Sequence, residues 1–231
     1  MEKTENGKIE KNVDALYIHI PFCKQKCSYC NFHFSTSLKL KNEMLFAIKN
    51  VLSLRNNELK NKTLETLYFG GGTPSILEVD EIKMLMDEIL KYFDFSRDIE
   101  ITLEANPDDL DQKFLKGIAE IGINRLSIGI QSFHDEDLRL MNRAHSSSQA
   151  ESSVKRAQDA GIQNISVDLI YGAPTSNFEI WKQNLDKAIE LEIPHISSYA
   201  LTIEPRTALE NWITKGKISP PKENTQNEEF Y

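Results

Sequence analysis

Two hydrophobic periods take turns along this chain, one of two residues and one near 3.6. Ala15–Ile20 is a short apolar run, and residues 38–54 then carry Leu45, Ile48 and Leu52 at helical spacing. Residues 64–69 predict a strand running into three glycines. The stretch 79–93 sets Ile82, Leu85, Met86, Ile89 and Leu90 on one helical face. A strand over 99–103 precedes a helix over about 111–121, which Gly122 stops. Strand 126–130 follows, then a helix over about 148–160 with Ser148 and Glu151 as a capping box and Gly161 at its end. Strand 165–170, a helix over about 178–191 and strand 196–201 close the series, the last strand lacking its helix. Six strand–helix alternations predict parallel strands with helices outside. Six units are too few for a closed eight-stranded barrel, so the expected fold is an incomplete, open (β/α)6 barrel of α/β class.

The unusual residues fall at the predicted strand ends. The cysteines follow the first strand, Gly70–Gly72 the second, and Glu104 with Asn106 the third. Gln131 ends the fourth and Tyr171-Gly172 the fifth. Barrel-type folds carry their chemistry at the carboxyl ends of the strands, so these positions should converge on one mouth. The organisation expected is a polar segment over 1–13, a core over 14–205, and the start of a further domain, cut short, over 206–231.

Composition narrows the function classes. The chain has 231 residues, enough for one sizeable core, and 27 basic against 35 acidic residues give a net charge of −8. That balance argues against nonspecific binding to nucleic acid. No apolar run approaches the roughly 20 residues of a transmembrane helix. The polar first dozen residues lack the apolar stretch of a signal peptide, and free thiols suit a reducing, cytoplasmic setting.

All three cysteines, Cys23, Cys27 and Cys30, sit in one C-x3-C-x2-C run. Three thiolates can hold three irons of a [4Fe-4S] cubane and leave the fourth iron open to a substrate or cofactor. A zinc site would need His19 or His33 as a fourth ligand, and the second clip usual in zinc knuckles is missing; a zinc-stabilised binding module is the remote alternative. An odd, clustered set of cysteines is no disulfide framework. His19 and His195 are expected to be packed strand residues rather than metal ligands, while His145 could serve either way.

Tyr17-Ile-His-Ile-Pro-Phe-Cys23 together with the cysteine run resembles the radical S-adenosylmethionine (SAM) superfamily. The resemblance implies that the open iron chelates the amino and carboxylate groups of SAM, whose reductive cleavage yields a 5′-deoxyadenosyl radical. It also implies that Tyr29 packs beside the adenine, and that Gly70-Gly71-Gly72-Thr73 is the glycine-rich stretch hydrogen-bonding the SAM amino group. Thr102-Leu-Glu104-Ala-Asn-Pro107, residues 125–133, Met141-Asn-Arg143-Ala-His145 and residues 167–174 narrow the likeness to the oxygen-independent coproporphyrinogen III oxidase family, over about residues 14–206. By that resemblance Tyr17, Gly71 and Glu104 contact cluster-bound SAM. Gly72, Thr73, Gln131, Arg143, Asp168 and Ala200 match positions lining a second SAM or the adjoining substrate cavity.

The family holds an oxidase, which decarboxylates coproporphyrinogen III to protoporphyrinogen IX, and a heme-chaperone branch. Phe32 stands where the oxidase carries an additional cysteine, only 22 residues precede Cys23, and residues 105–107 and 143–145 resemble the chaperone branch. The resemblance therefore implies a chaperone that binds heme or a related porphyrin and passes it to acceptor proteins, with an electron donor as a further partner. The oxidase is the alternative. The heme-contacting motif is expected C-terminal to this chain.

Overall fold

The computed structural model describes residues 14–59, 61–221 and 223–230; the predicted polar segment 1–13 lies outside them. Six parallel strands form one sheet in chain order: β1 (Ala15–Ile20), β2 (Thr63–Gly71), β3 (Asp94–Ala105), β4 (Arg125–Gln131), β5 (Asn164–Tyr171) and β6 (His195–Ala200). β1 and β6 are both edges, so the sheet is unclosed. Between the strands run α1 (Lys41–Arg55), α2 (Val79–Ile89), α3 (Gln112–Glu120), α4 (Asp135–Leu140), α5 (Ser147–Asp159) and α6 (Phe178–Glu190). After β6 come α7 (Ala208–Thr214) and α8 (Glu223–Phe230).

The core lies between the sheet and its helices. Ile18, Ile20, Leu67, Phe69, Leu103, Leu126, Ile128, Val167 and Leu169 are buried on the helix-facing side. They meet Leu45 and Leu52 of α1, the α2 stripe Ile82, Leu85, Met86 and Ile89, Leu115 and Ile118 of α3, and Val154 of α5. Because strand side chains alternate, the same pattern sends Tyr17, Tyr68, Glu104, Arg125, Ser127 and Asp168 to the other side, away from the helices. Among the described residues no helix is long and apolar enough to cross a membrane.

Several boundaries differ from the periodicity. β2 runs through Gly70 and Gly71 rather than stopping before them, because both pair with β1, Gly70 opposite His19 and Gly71 opposite Ile20. α1 is preceded by a 3-10 turn at Leu38–Leu40. α2 ends at Ile89, leaving Leu90 half exposed at its C-cap. The capping box of α5 is a correction: Ser146 and Gln149, not Ser148 and Glu151, make the reciprocal bonds. A run of three serines offers the cap in three registers, and the earliest one also lengthens the helix by two residues. His19 and His195 are exposed rather than packed, and His195 Nδ1 bonds Ser166 Oγ at 2.7 Å.

After β6, α7 and α8 pack on the core. The Leu209 amide in α7 donates to the Ser28 carbonyl at 2.9 Å. Leu209 itself is buried with Leu140, Met141 and Leu201, and Tyr29 and Trp212 pack against this group. α8 lies across the ends of β5 and β6, where Gln226 Nε2 donates to the Leu201 carbonyl at 3.0 Å.

Candidate functional site

The cysteine loop is fixed before any cofactor is considered. Its base is closed by the Cys23 amide on the Ser35 carbonyl (3.0 Å) and the Ser35 amide on the Pro21 carbonyl (2.9 Å). Its middle docks on the turn after α4: the Ser28 amide donates to the Met141 carbonyl at 3.0 Å and Ser28 Oγ to the Leu140 carbonyl at 2.7 Å. Asn142 Nδ2 adds a bond to the Lys26 carbonyl at 2.7 Å. The Cys30 amide turns back to the Cys27 carbonyl at 3.3 Å. All three thiols are free and half-buried, and burial pushes the Cys23 and Cys30 thiols up from their ordinary range.

The glycine strip lies beside this loop. The Gly72 amide donates to the Ile20 carbonyl at 2.8 Å, tying the end of β2 to the end of β1. A Cβ on Gly72 would stand 2.6 Å from the Phe22 carbonyl oxygen and 3.0 Å from Cys23 Sγ, so only a glycine lets the backbone come this close. Gly71 has a φ of 119°, a conformation L side chains rarely adopt. Its amide donates to Glu104 Oε2 at 3.0 Å while Tyr68 Oη donates to Oε1 at 2.8 Å. Burial outweighs both bonds and raises the Glu104 pKa.

From the far side comes Arg143, whose Nη1 lies 3.2 Å from Cys27 Sγ. Its Nη2 donates to Asn106 Oδ1 at 2.5 Å and to the Gly129 carbonyl at 2.6 Å, leaving a buried Nε without a partner. Gln131 ends β4 with a φ of 70°, and Tyr199 Oη donates to its Oε1 at 3.3 Å. Asp168 on β5 is pushed up to about 6 by burial first and the Glu104 charge second. His145 is held down at about 4, by burial and then by Arg143, with Nε2 3.0 Å from the Ile130 carbonyl. It is a buried, neutral support for the loop.

One cavity of about 260 Å³ gathers these groups. Cys23, Cys27, Cys30, Tyr29, Gly71, Gly72, Thr73, Glu104, Gln131, Arg143 and Asp168 all line it. Two positions singled out in the sequence do not. Tyr17 lies further down the same face, stacked on Tyr68 at 5.8 Å and hydrogen-bonded to His19 Nδ1 at 3.0 Å. Ala200 ends β6 outside the wall. The sequence reasoning missed Tyr199, Ser127 and Asn142 in the lining. Strand parity carried the signal for two of them: Ser127 is two residues before Gly129, and Tyr199 pairs opposite Ile170 with its ring toward Gln131.

The donor set suits an iron–sulfur cube. No three His, Cys, Asp or Glu side chains among the described residues converge as ligands of a single ion do. The three thiols instead share one cavity wall, as ligands divided among separate irons would, with a guanidinium to offset thiolate charge. The adjoining backbone at Gly71–Gly72, free of side chains, leaves room for a second ligand at the same wall.

The family model of the radical SAM superfamily matches residues 17–188, and the chain belongs to that superfamily, which uses a [4Fe-4S] cluster and SAM. Within it, the chain is 40% identical over 199 residues to the heme chaperone HemW of Haemophilus influenzae, covering 84% of this chain and 52% of the relative. It is 37% identical over 220 residues to HemW of Bacillus subtilis, covering 94% and 58%. The chain thus spans just over half the length of these relatives. Among solved structures it superposes on the Escherichia coli coproporphyrinogen III oxidase HemN, a radical SAM enzyme, with a TM-score of 0.84 and 28% identity, over 94% of this chain and 50% of that one. An archaeal Elp3 from Methanocaldococcus infernus shares the fold at a TM-score of 0.66 and 17% identity.

Proposed function

We propose that this chain is the cluster- and SAM-binding part of a heme chaperone of the HemW kind, working in a reducing, cytoplasmic setting. The observation that carries the reading is the convergence of three thiols, Gly71–Gly72 and Glu104 on one cavity. Cys23, Cys27 and Cys30 would hold the cluster, which when bound supplies an electron and an open iron for the SAM amino and carboxylate groups. Gly71 and Gly72 present bare backbone to that ligand. Glu104, held by Tyr68 and Gly71, has lone pairs left to accept from ribose hydroxyls or the amino group. Tyr29 and Thr73 shape the wall, and Arg143 with Gln131 and Asp168 forms the polar far side.

Heme enters the proposal from the named relatives and from position 32. Phe32 is 79% exposed at the rim of the cavity, an apolar ring where the oxidase is expected to carry another cysteine. A phenylalanine neither ligates metal nor donates a proton, and it offers a flat face to a porphyrin. The oxidase reading keeps one support, the 0.84 superposition on HemN. The two separate in one experiment on the full-length protein, reconstituted without oxygen. Stable heme binding with transfer to an apo-acceptor and no protoporphyrinogen from coproporphyrinogen III supports the chaperone; product formation without heme transfer overturns it.

A further inference from the structure

Lys24 sits between the first two cysteines, and its ammonium is held by two carboxylates. It is 3.1 Å from Asp108 Oδ2 and also ion-paired to Asp109, on the short 3-10 turn that follows β3. Asp109 is no surface carboxylate: its side chain is 3% exposed, and its other oxygen accepts from Ser75 Oγ at 2.6 Å. Ser75 Oγ in turn accepts from the Asn106 amide at 3.2 Å. Asn106 opens the same turn, and its side chain accepts from Arg143, which touches Cys27 Sγ. The turn over 106–109 therefore grips the cysteine loop twice, at Lys24 from one side and at Cys27 from the other.

We propose that Asp109 and Lys24 are positioning residues: their ion pair, with the Asn106–Arg143 contact, sets the aim of the cysteine loop. This rests on the cluster reading for its purpose, though not for its geometry. A buried carboxylate that loses its cation keeps only a hydroxyl partner at Ser75, so it must take up a proton or draw water in by moving the loop and turn, and either change loosens the grip. A flexible loop would leave three thiols at variable separations, and a cube tolerates only one set. The two-point grip fixes that set in the metal-free chain, before iron arrives.

The test uses Lys24→Met and Asp109→Asn, with Lys24→Arg keeping the charge. Hydrogen exchange on the metal-free chain reads the loop directly, through the peptide holding residues 23–30. Both charge-removing variants should exchange there about tenfold faster, with β5 unchanged as the internal control. Lys24→Arg should stay within about twofold of the parent. On reconstituted protein, Lys24→Met should keep a cluster but shift its midpoint potential and blunt the SAM-induced change in its electron paramagnetic resonance spectrum. Unaltered exchange and potential in Lys24→Met would overturn the proposal, as would a Lys24→Arg variant as impaired as Lys24→Met. A parent chain that assembles no cluster strikes the cofactor reading instead, because the exchange arm needs no metal.

Discussion

The two faces of the one sheet are built from alternate residues of the same strands and have little else in common. On the helix side, Leu67, Phe69, Leu103, Leu126 and Val167 are wholly buried, with no polar atom to satisfy. On the opposite side their neighbours Tyr68, Glu104, Arg125 and Asp168 hold charges and hydroxyls in a partly exposed, unclosed interior. Burying apolar area stabilises the first face by about 25 cal/mol for each Å². The second face gains little net stability, since each buried polar group there needs a partner merely to break even. The contrast separates what holds the fold from what the fold presents.

The sharpest way to break that separation is at the thiols. Cys27→Ala should abolish iron incorporation and SAM binding together, while the metal-free chain keeps its melting temperature. Brown, cluster-bearing protein with full SAM affinity, seen by absorbance and equilibrium dialysis, would contradict the ligand assignment. On the other face, Phe69→Ala should cost about 3–5 kcal/mol in urea unfolding, since the ring is fully enclosed between sheet and helices. A loss below about 1 kcal/mol would mean that the outer layer does not carry the fold.

A smaller, opposite effect belongs to Asp168. Its carboxyl binds a proton more tightly in the folded chain, at about 6, than an ordinary aspartate does. The folded chain therefore holds the additional proton between roughly pH 4 and 6, and stability falls as pH rises through that window. Asp168→Asn should stabilise the metal-free chain by about 3 kcal/mol at pH 7 and by nothing below about pH 4. A constant gain at every pH would show that packing, not ionisation, is responsible. Smallest is a control touching neither face: Ser146→Ala at the start of α5 should cost about 1 kcal/mol and leave SAM affinity unchanged.

How much of this could be read from the sequence depends on the range of the interaction. Apolar periodicity gave all six strands and the five longer helices that connect them, because each element's buried face is written within its own residues. α4, α7 and α8 were missed, each of eight residues or fewer and too short for a period to repeat. The mouth of the barrel was legible as strand ends, and the cysteine run as chemistry. What no local pattern discloses is the pairing of Lys24 with Asp109 or of Arg143 with Cys27, contacts that exist only after β3 and β4 lie side by side. The left-handed Gln131 was hidden for a related reason. Its backbone follows a register shift between Ile128 and Gln131 against β5, which is a property of the pair of strands.

The closeness of Gly72 to the Phe22 carbonyl has a consequence for how this chain can vary over time. Even a single methyl group there would collide with the Phe22 backbone first and with Cys23 Sγ next, so the entry to the cysteine loop would have to shift before any bulkier residue could be accepted. At this one position drift is barred by geometry rather than by chemistry.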